Sequence, residues 1–212
     1  MVTVVGIGPG TWEYVTPAAL QKIEGADVLV GGKRQLALFQ DIDCIKIPFE
    51  KGMDFPVLFH RTGQIVILAS GDPGLYGVLN LVLKYVSKEY IEVIPGISSV
   101  QYIMAKLRMP MKNMAVISLH GREEDIASKV KEYDTLVVLT DENHDPRFIA
   151  QILKQGGIKD RIVYVGQNLS YENEKIERYT VEELMENQKK FDINLVVITC
   201  GNMPLGSLMS VL

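Results

Sequence analysis

The chain has 212 residues, a net charge of −4 and 47% apolar residues. This length and composition are typical of a globular protein that buries a substantial core, in one large domain or in two of about 100 residues each. The charge balance does not favour nonspecific nucleic-acid binding, and the longest apolar runs are far shorter than the roughly 20 residues of a membrane-spanning helix.

Short apolar runs alternate with helical segments in the first half of the chain. Strands are predicted at residues 2–7, 27–30, 44–47, 65–69 and 91–94. After the first strand, Thr16 is predicted as the N-cap and Pro17 as the first residue of a helix. Its apolar sector is predicted to hold Ala18, Leu20 and Ile23. This alternation of strands and helices predicts an α/β fold with a largely parallel sheet.

A proline in the segment "LRMPMKNMAV" interrupts this rhythm and predicts a boundary between two domains, residues 1–111 and 112–212. The elements predicted beyond it are strands at 115–118, 135–139, 161–165, 175–179 and 195–199, and helices near 123–131, 146–154 and 181–189. The final stretch, "CGNMPLGSLMSVL", is apolar and is predicted to be a packed terminal segment.

The cysteines and histidines do not form a metal-binding pattern. Cys44 and Cys200 lie far apart and belong to no CxxC pair, so we expect small buried side chains rather than a zinc site or a disulfide. The histidines are too few and too scattered for a metal cluster. Because no basic and apolar leader precedes the first predicted strand, we expect a cytoplasmic protein.

Three glycine-rich loops each follow a predicted strand: "GIGPG" at 6–10, "SGDPGLYG" at 70–77 and "PGISS" at 95–99. Any one of them is equally compatible with a tight turn. Ligands of open parallel sheets bind at the carboxyl ends of strands, so three such loops together predict one shared site. The chain has no P-loop run, and Thr11 stands where a Rossmann fingerprint has its third glycine. An NTPase and classical dinucleotide binding are therefore disfavoured.

Two polar residues in these loops allow alternative interpretations. Asp72 in the second loop is suited to a cationic or hydroxyl-bearing ligand, or to capping the helix that follows. Ser98 in the third loop offers a hydroxyl and an N–H at the start of a helix predicted at 97–107, or is simply the N-cap of that helix.

With "VGIGPG", "ASGDPGLYG" and "VIPGISSVQ" in this order, the chain resembles the tetrapyrrole (corrin/porphyrin) methylase family over its full length. The segments "SLHGR", "VVLTDENHDPRFIA" and "VGQNLSYENEKIERYT" are similar to those of members that methylate C5 of cobalt-precorrin-7 in cobalamin biosynthesis. The resemblance implies two α/β domains with the cofactor, S-adenosyl-L-methionine, in the cleft between them, and a homodimer.

The resemblance also implies cofactor contacts at matching motif positions. These are Pro9 in the first loop, Asp72 and Leu75 in the second, Ser98 and Ser99 in the third, and Thr140, Asn168 and Leu169 in the second half. Gln167 departs from the motif, which is expected to have Glu there, so no charge-based role is predicted at that position.

The acceptor that the resemblance implies is a macrocycle that carries acetate and propionate carboxylates. Such an acceptor requires cationic side chains as partners. Arg122, Lys33 and Arg34 are the candidates, and the alternative for each is a solvated surface charge. Methylation of a meso carbon requires the loss or shift of a proton, and His120 is a candidate to relay it. The alternative for His120 is an ordinary loop histidine.

Other functions are compatible with the same loops, because a shared fold does not fix the acceptor. One is methylation at another corrin position, of a uroporphyrinogen, or of a diphthine-type protein side chain. Another is a non-catalytic corrinoid-binding partner of the C15 methyltransferase. Related enzymes fuse this unit to a module that methylates C15 with decarboxylation, so we expect any such C15 partner to be a separate protein.

Overall fold

The computed structural model describes residues 1–50, 52–121 and 124–200. The chain divides into two compact units, one at Met1–Lys106 and one from Leu107 onward. Each unit contains a five-stranded sheet, so the predicted α/β fold class is confirmed. Arg122 and the predicted terminal segment after Cys200 lie outside the described residues. Among the helices of the described ranges, none is long and apolar enough to cross a membrane.

The first unit is built on a wholly parallel sheet. Its strands are β1 (Val2–Gly6), β2 (Val28–Gly31), β3 (Ile45–Pro48), β4 (Ile65–Ala69) and β5 (Ile91–Ile94), and its helices are α1 (Pro17–Glu24), α2 (Lys33–Leu38), α3 (Phe55–Phe59), α4 (Leu79–Val82) and α5 (Ser99–Lys106). The strand order is β3-β2-β4-β1-β5. β1, β2 and β4 are buried throughout, as expected for central strands covered on both faces.

This strand order places the three glycine-rich loops side by side. They follow β4, β1 and β5, which are consecutive neighbours in the sheet and run parallel to one another. All three loops therefore leave the same edge of the sheet.

Helix α1 has the predicted beginning and a shifted buried face. Thr16 is its N-cap, with Oγ1 accepting the N–H of Ala19 at 3.1 Å, and Pro17 is its first residue. Ala19 and Ile23 are buried in the core, whereas Ala18 is exposed, so the prediction that Ala18 belongs to the apolar sector is wrong. Neighbouring residues differ by about 100° around a helix, so only one of the two alanines can face the sheet.

The second unit has a mixed sheet. Its strands are β6 (Met114–Ser118), β7 (Thr135–Leu139), β8 (Arg161–Gln167), β9 (Lys175–Thr180) and β10 (Asn194–Cys200), and its helices are α6 (Ile126–Glu132), α7 (Pro146–Gln155) and α8 (Val181–Glu186). The order is β6-β7-β10-β8-β9, and only β6 and β7 pair in parallel. A loop at residues 168–174 joins β8 to β9 as a hairpin, and β10 is antiparallel to both β7 and β8. The prediction of a parallel sheet therefore holds for the first unit alone.

The cysteines differ from expectation. Cys44 and Cys200 are both half-buried rather than buried. Cys44 directly precedes the edge strand β3, and its partly buried side chain packs against the core of the first unit. Cys200 ends β10, where the Arg161 guanidinium donates a hydrogen bond to its Sγ atom. Each thiol lies at the end of a strand and not in its covered middle.

Candidate functional site

The backbones of the three glycine-rich loops are in contact with one another. A Cβ atom placed on Gly6 would lie 2.5 Å from the amide nitrogen of Gly96 and 2.6 Å from the carbonyl oxygen of Gly71. A Cβ on Gly96 would meet the Gly71 carbonyl oxygen and the Gly6 backbone. Only glycine fits at these positions, because the space that a side chain would fill is occupied by main chain. The predicted convergence of the loops is observed.

A main-chain hydrogen bond joins the first loop to the second. The N–H of Gly71 donates to the carbonyl oxygen of Gly8 at 2.8 Å, which forms an isolated bridge. Both residues have left-handed backbone conformations, with φ of +81° at Gly8 and +66° at Gly71. Such angles favour glycine, so the two loops owe their close approach to residue type as well as to strand order.

The Asp72 carboxylate links the second loop to the third. Its Oδ1 atom accepts the N–H of Gly74 at 2.8 Å, and its Oδ2 atom accepts the N–H of Gly96 at 3.2 Å. The helix that follows has Val78 as its N-cap, so the prediction that Asp72 caps this helix is wrong. A carboxylate has about four acceptor positions, and these two bonds leave further capacity for a ligand.

Ser98 is the N-cap of α5. Its Oγ atom accepts the N–H of Gln101 at 3.1 Å, and both the Ser98 N–H and its hydroxyl donate to the Gln101 side-chain oxygen. The capping alternative is therefore confirmed for Ser98, which is 4% exposed. The half-buried Ser99 follows it as the first residue of the helix.

The remaining residues predicted in the first unit lie in the same loops. Pro9 is half-buried between two glycines, and Leu75 is half-buried with its N–H donating to the Asp72 carbonyl oxygen at 3.3 Å. Pro9, Asp72, Leu75, Ser98 and Ser99 are thus brought to one edge of one sheet.

A side chain absent from the predictions also reaches this edge. The Gln35 carboxamide accepts the Gly32 N–H at 2.6 Å and donates to the Ser70 hydroxyl at 2.9 Å. Lys33 and Arg34 lie next to it, exposed at the start of α2. Gln35 lies three residues after the N-cap Gly32 and supplies one half of a capping box, but glycine has no side chain to make the reciprocal bond, so the Ser or Thr that signals this motif in a sequence is absent. Its contact with Ser70 has no local signal.

The residues predicted in the second unit surround the start of β10. The Thr140 hydroxyl, directly after β7, donates to the Asn194 carbonyl oxygen at 2.6 Å. Asn168, directly after β8, donates its backbone N–H to the Ile193 carbonyl oxygen at 2.9 Å and its side-chain amide to Asp192 at 3.0 Å. Because β10 lies between β7 and β8, the structure holds Thr140 and Asn168 on either side of residues 192–194.

The turn after β8 has an unusual backbone. Asn168 and Ser170 have φ of +48° and +73°, the left-handed region that side chains disfavour, and Leu169 between them is 7% exposed. The Ser170 N–H donates to Glu174 at 2.7 Å. Non-glycine residues in this region cost of order 1–3 kcal/mol each and are common at functional sites.

Gln167 has a structural reason to be an amide. Its Nε2 atom donates to the Glu177 carboxylate at 3.2 Å, and its Oε1 atom accepts the Asp192 N–H at 2.9 Å. The residue is 6% exposed. An ionised Glu has no donor and would place a second negative charge against Glu177, so this chain requires the departure from the motif.

The loop after β7 is ordered by two carboxylates. Burial opposes ionisation of Asp141, but hydrogen bonds from the His144 ring and from the N–H groups of His144 and Asn143 lower its pKa overall. Burial likewise opposes ionisation of Asp145, and hydrogen bonds from the Arg147 side chain and nearby backbone N–H groups lower its pKa. Asp145 is also the N-cap of α7. These carboxylates are held ionised as acceptors.

His120 lies exposed in the turn after β6. The Leu119 N–H donates to the Leu139 carbonyl oxygen at 2.9 Å, so His120 and Thr140 leave two adjacent parallel strands at the same edge. Of the segment "SLHGR", the structure describes Ser118 to Gly121.

The structure is that of an α/β protein with two five-stranded sheets. In the first unit the glycine-rich loops converge at the carboxyl ends of parallel strands, which is where open α/β sheets bind their ligands. Residues 1–185 match the family model for tetrapyrrole (corrin/porphyrin) methylases. The chain belongs to this family, as its motifs predict.

Individual family members are similar to this chain over nearly its full length. The chain is 37% identical over 203 residues to the cobalt-precorrin-7 C(5)-methyltransferase of Salmonella typhimurium, covering 93% of this chain and 98% of that one. Its fold matches the uroporphyrin-III C-methyl transferase of Thermus thermophilus complexed with S-adenyl homocysteine, with a TM-score of 0.79, 23% identity and coverage of 93% and 91%. It also matches the precorrin-6Y methylase of Archaeoglobus fulgidus, with a TM-score of 0.72, 23% identity and coverage of 94% and 98%.

Proposed function

We propose that this protein transfers a methyl group from S-adenosyl-L-methionine to C5 of cobalt-precorrin-7 in cobalamin biosynthesis. The observation that carries this proposal is the 37% identity to a C5-methyltransferase over nearly the full length of both chains. The converging glycine-rich loops support it independently, because they form a surface of peptide groups suited to a ligand with several polar ends.

The first unit is proposed to hold the amino-acid and ribose parts of the cofactor. Peptide groups of the three loops bind the polar ends, while Pro9 and Leu75 provide apolar surface around the sulfur. Asp72 and Ser98 act largely by fixing the loops, since their side chains bind backbone N–H groups at this edge. Ser99 offers the first N–H of α5.

The second unit is proposed to bind the adenosine side of the cofactor through Thr140, Asn168 and Leu169.

When bound, S-adenosyl-L-methionine would supply an electrophilic methyl group on a positively charged sulfur, with the S–C bond breaking as the new C–C bond forms and S-adenosylhomocysteine leaving as a neutral thioether. Such a displacement needs alignment more than acid or base at the donor, and alignment is worth several powers of ten in rate. The protein therefore contributes chiefly fixed geometry and exclusion of water. The rigid contact among Gly6, Gly71 and Gly96 fits that requirement.

The acceptor is proposed to meet cations at its carboxylates and a base at the reacting carbon. Lys33 and Arg34, exposed beside the cofactor loops, are proposed carboxylate partners, together with Arg122. Methylation of a meso C–H carbon forms a C–C bond and releases one proton, which His120 is proposed to accept. The cobalt belongs to the substrate.

Location and assembly are part of the same proposal. We propose a cytoplasmic homodimer.

The decisive experiment locates the new methyl group. The purified protein is incubated with S-adenosyl-L-methionine carrying a ¹³C-methyl group and with cobalt-precorrin-7, and NMR of the product is expected to show the label at C5. A label at another carbon, or transfer only to a uroporphyrinogen, would reassign the acceptor. Calorimetry with S-adenosylhomocysteine provides the control. Absence of both binding and transfer would instead indicate a non-catalytic corrinoid-binding protein.

A further inference from the structure

The side chain of Gln35 connects the ends of two neighbouring strands. Through Oε1 it accepts the N–H of Gly32, which follows β2, and through Nε2 it donates to the hydroxyl of Ser70, which follows β4. β2 and β4 pair in parallel, so both contacts lie at the edge where the glycine-rich loops emerge. One carboxamide thus joins the start of α2, which carries Lys33 and Arg34, to the first residue of the second glycine-rich loop.

The carboxamide is held firmly in this position. A Cβ atom on Gly31 would lie 3.0 Å from the Gln35 oxygen and 3.1 Å from the Leu68 Cβ, so the backbone of β2 packs directly against both. Gln35 itself is half-buried, and the helix that carries it is anchored in the core by Leu36 and Phe39. Gln35 therefore has little freedom to move away from Ser70.

The contact continues into the other loops. Ser70 is followed by Gly71, which donates to Gly8 and lies against the Gly96 backbone. A row of contacts consequently runs along the edge of the sheet from the start of α2 to all three glycine-rich loops. Displacing the start of α2 changes the distance between the acceptor that Lys33 and Arg34 are proposed to bind and the cofactor that the glycine-rich loops are proposed to bind.

We infer that Gln35 is a positioning residue that sets the distance between the first turn of α2, which carries the proposed acceptor-binding Lys33 and Arg34, and the cofactor-binding loops. This inference rests on the proposed function. Gln35 acts through Lys33 and Arg34 on one side and through Ser70 on the other, and touches neither reacting atom. Its contribution is to acceptor binding and alignment, because the glycine contacts that form the cofactor surface do not include it.

Binding and turnover together test this role. Gln35→Ala is expected to weaken cobalt-precorrin-7 binding in the presence of S-adenosylhomocysteine, and to lower kcat/KM, by about tenfold. The Kd of S-adenosylhomocysteine alone should change by less than about twofold. Ser70→Ala should give a smaller loss, and adding it to Gln35→Ala should have no further effect, since both remove the same contact.

The Ser70 variants keep the test independent of folding. Ser70→Ala leaves the Gly32 cap intact, and Ser70→Thr keeps the hydroxyl and should recover most of the lost acceptor affinity. Equal weakening of both ligands, additive losses in the double variant, or failure of Ser70→Thr to recover affinity would each overturn the inference. Absence of transfer by the wild-type protein would instead reject the proposed function, and with it this role.

Discussion

The two units build their predicted ligand-facing edges from different chemical groups, main-chain groups in the first unit and side chains in the second. In the first unit, Gly6, Gly71 and Gly96 bring three backbones into contact where a side chain would not fit. In the second unit, side chains make the connections, as in the bonds of Thr140 to Asn194 and of Gln167 to Glu177. The first edge depends on glycines, which have no side chain, whereas the second edge depends on particular side-chain hydrogen-bond donors and acceptors.

The sheets explain this difference. Parallel neighbours deliver their loops to a single edge, where three turns compete for the same space and glycine relieves the crowding. In the mixed sheet, β10 begins between the ends of β7 and β8, and its first residues present N–H and carbonyl groups to both. Polar side chains of the flanking strand ends are needed to satisfy these groups. Substitutions should therefore act by steric overlap in one unit and by lost hydrogen bonding in the other.

The largest effect is expected from Gly6→Ala. The added methyl group would overlap main-chain atoms of Gly71 and Gly96, which cannot rotate away, so we expect about 3 kcal/mol of destabilisation or more. Affinity for S-adenosylhomocysteine should fall below detection. Denaturant unfolding and calorimetry check both results. Gly25→Ala is the matched control, because its Cβ would lie 3.5 Å from the Gln21 carbonyl oxygen. A wild-type-like Gly6→Ala protein would contradict the steric account of the first unit.

Asp72→Ala is expected to rank second. It removes the carboxylate that accepts the N–H groups of Gly74 and Gly96, and bonds to charged groups contribute about 1.5–3 kcal/mol. Calorimetry should show roughly 30-fold weaker binding of S-adenosylhomocysteine, equivalent to about 2 kcal/mol. The shape of the pH–rate profile should not change, since no proton transfer is assigned to this group. Undiminished affinity would show that the carboxylate is dispensable for the loop geometry.

Gln167→Glu tests the second unit. The new carboxylate would face Glu177 at a position that is 6% exposed, and we expect a loss of about 1.5 kcal/mol at neutral pH. Like charges raise the pKa of one carboxyl in the folded state above its unfolded value, so this state binds more protons. The loss should therefore shrink as the pH falls toward about 5.

The double variant Gln167→Glu with Glu177→Gln is the matched control for this pair. It restores one donor and one acceptor and should regain most of the stability in urea unfolding. A deficit that is independent of pH, or that the second substitution does not relieve, would count against the hydrogen-bond interpretation.

Asp145→Ala should give the smallest effect, about 1 kcal/mol for loss of an N-cap. Because the folded-state pKa of Asp145 is lowered, its ionic contribution is present above the unfolded pKa of about 3.9 and disappears as the pH falls through the folded value. Thermal unfolding from pH 7 to 3 should show the wild type losing its advantage. Asp125→Ala removes a cap from α6 and is the matched control. Identical pH dependence in the two variants would leave no separate role for the Arg147 ion pair.

Strand positions and the meeting of the glycine-rich loops could be predicted from the sequence. Every predicted strand is present with bounds within two residues, because apolar β-rich runs bounded by glycine and polar residues are local signals. The convergence follows from the parallel alternation of strands and helices. Thr16 and Pro17 likewise marked the start of α1 through local capping chemistry.

Features that depend on tertiary pairing could not be predicted. The insertion of β10 between β7 and β8 makes the second sheet mixed, and no local pattern specifies that partner choice. The contact of Gln35 with Ser70 spans 35 residues and depends on the β2–β4 register. The buried face of α1 is a different case, because Ala19 lies four residues before Ile23 and Ala18 lies five before it, so helical spacing alone could have identified the buried alanine.

The contact among Gly6, Gly71 and Gly96 has an evolutionary consequence. Every residue except proline carries the same peptide group, so an edge built from peptide groups keeps its chemistry while most of the surrounding residues are substituted. Structures that share only 23% of their residues with this chain can therefore retain the architecture around such an edge. Selection is then free to alter the outer side chains, including those proposed to contact the acceptor, provided that three positions stay without a side chain.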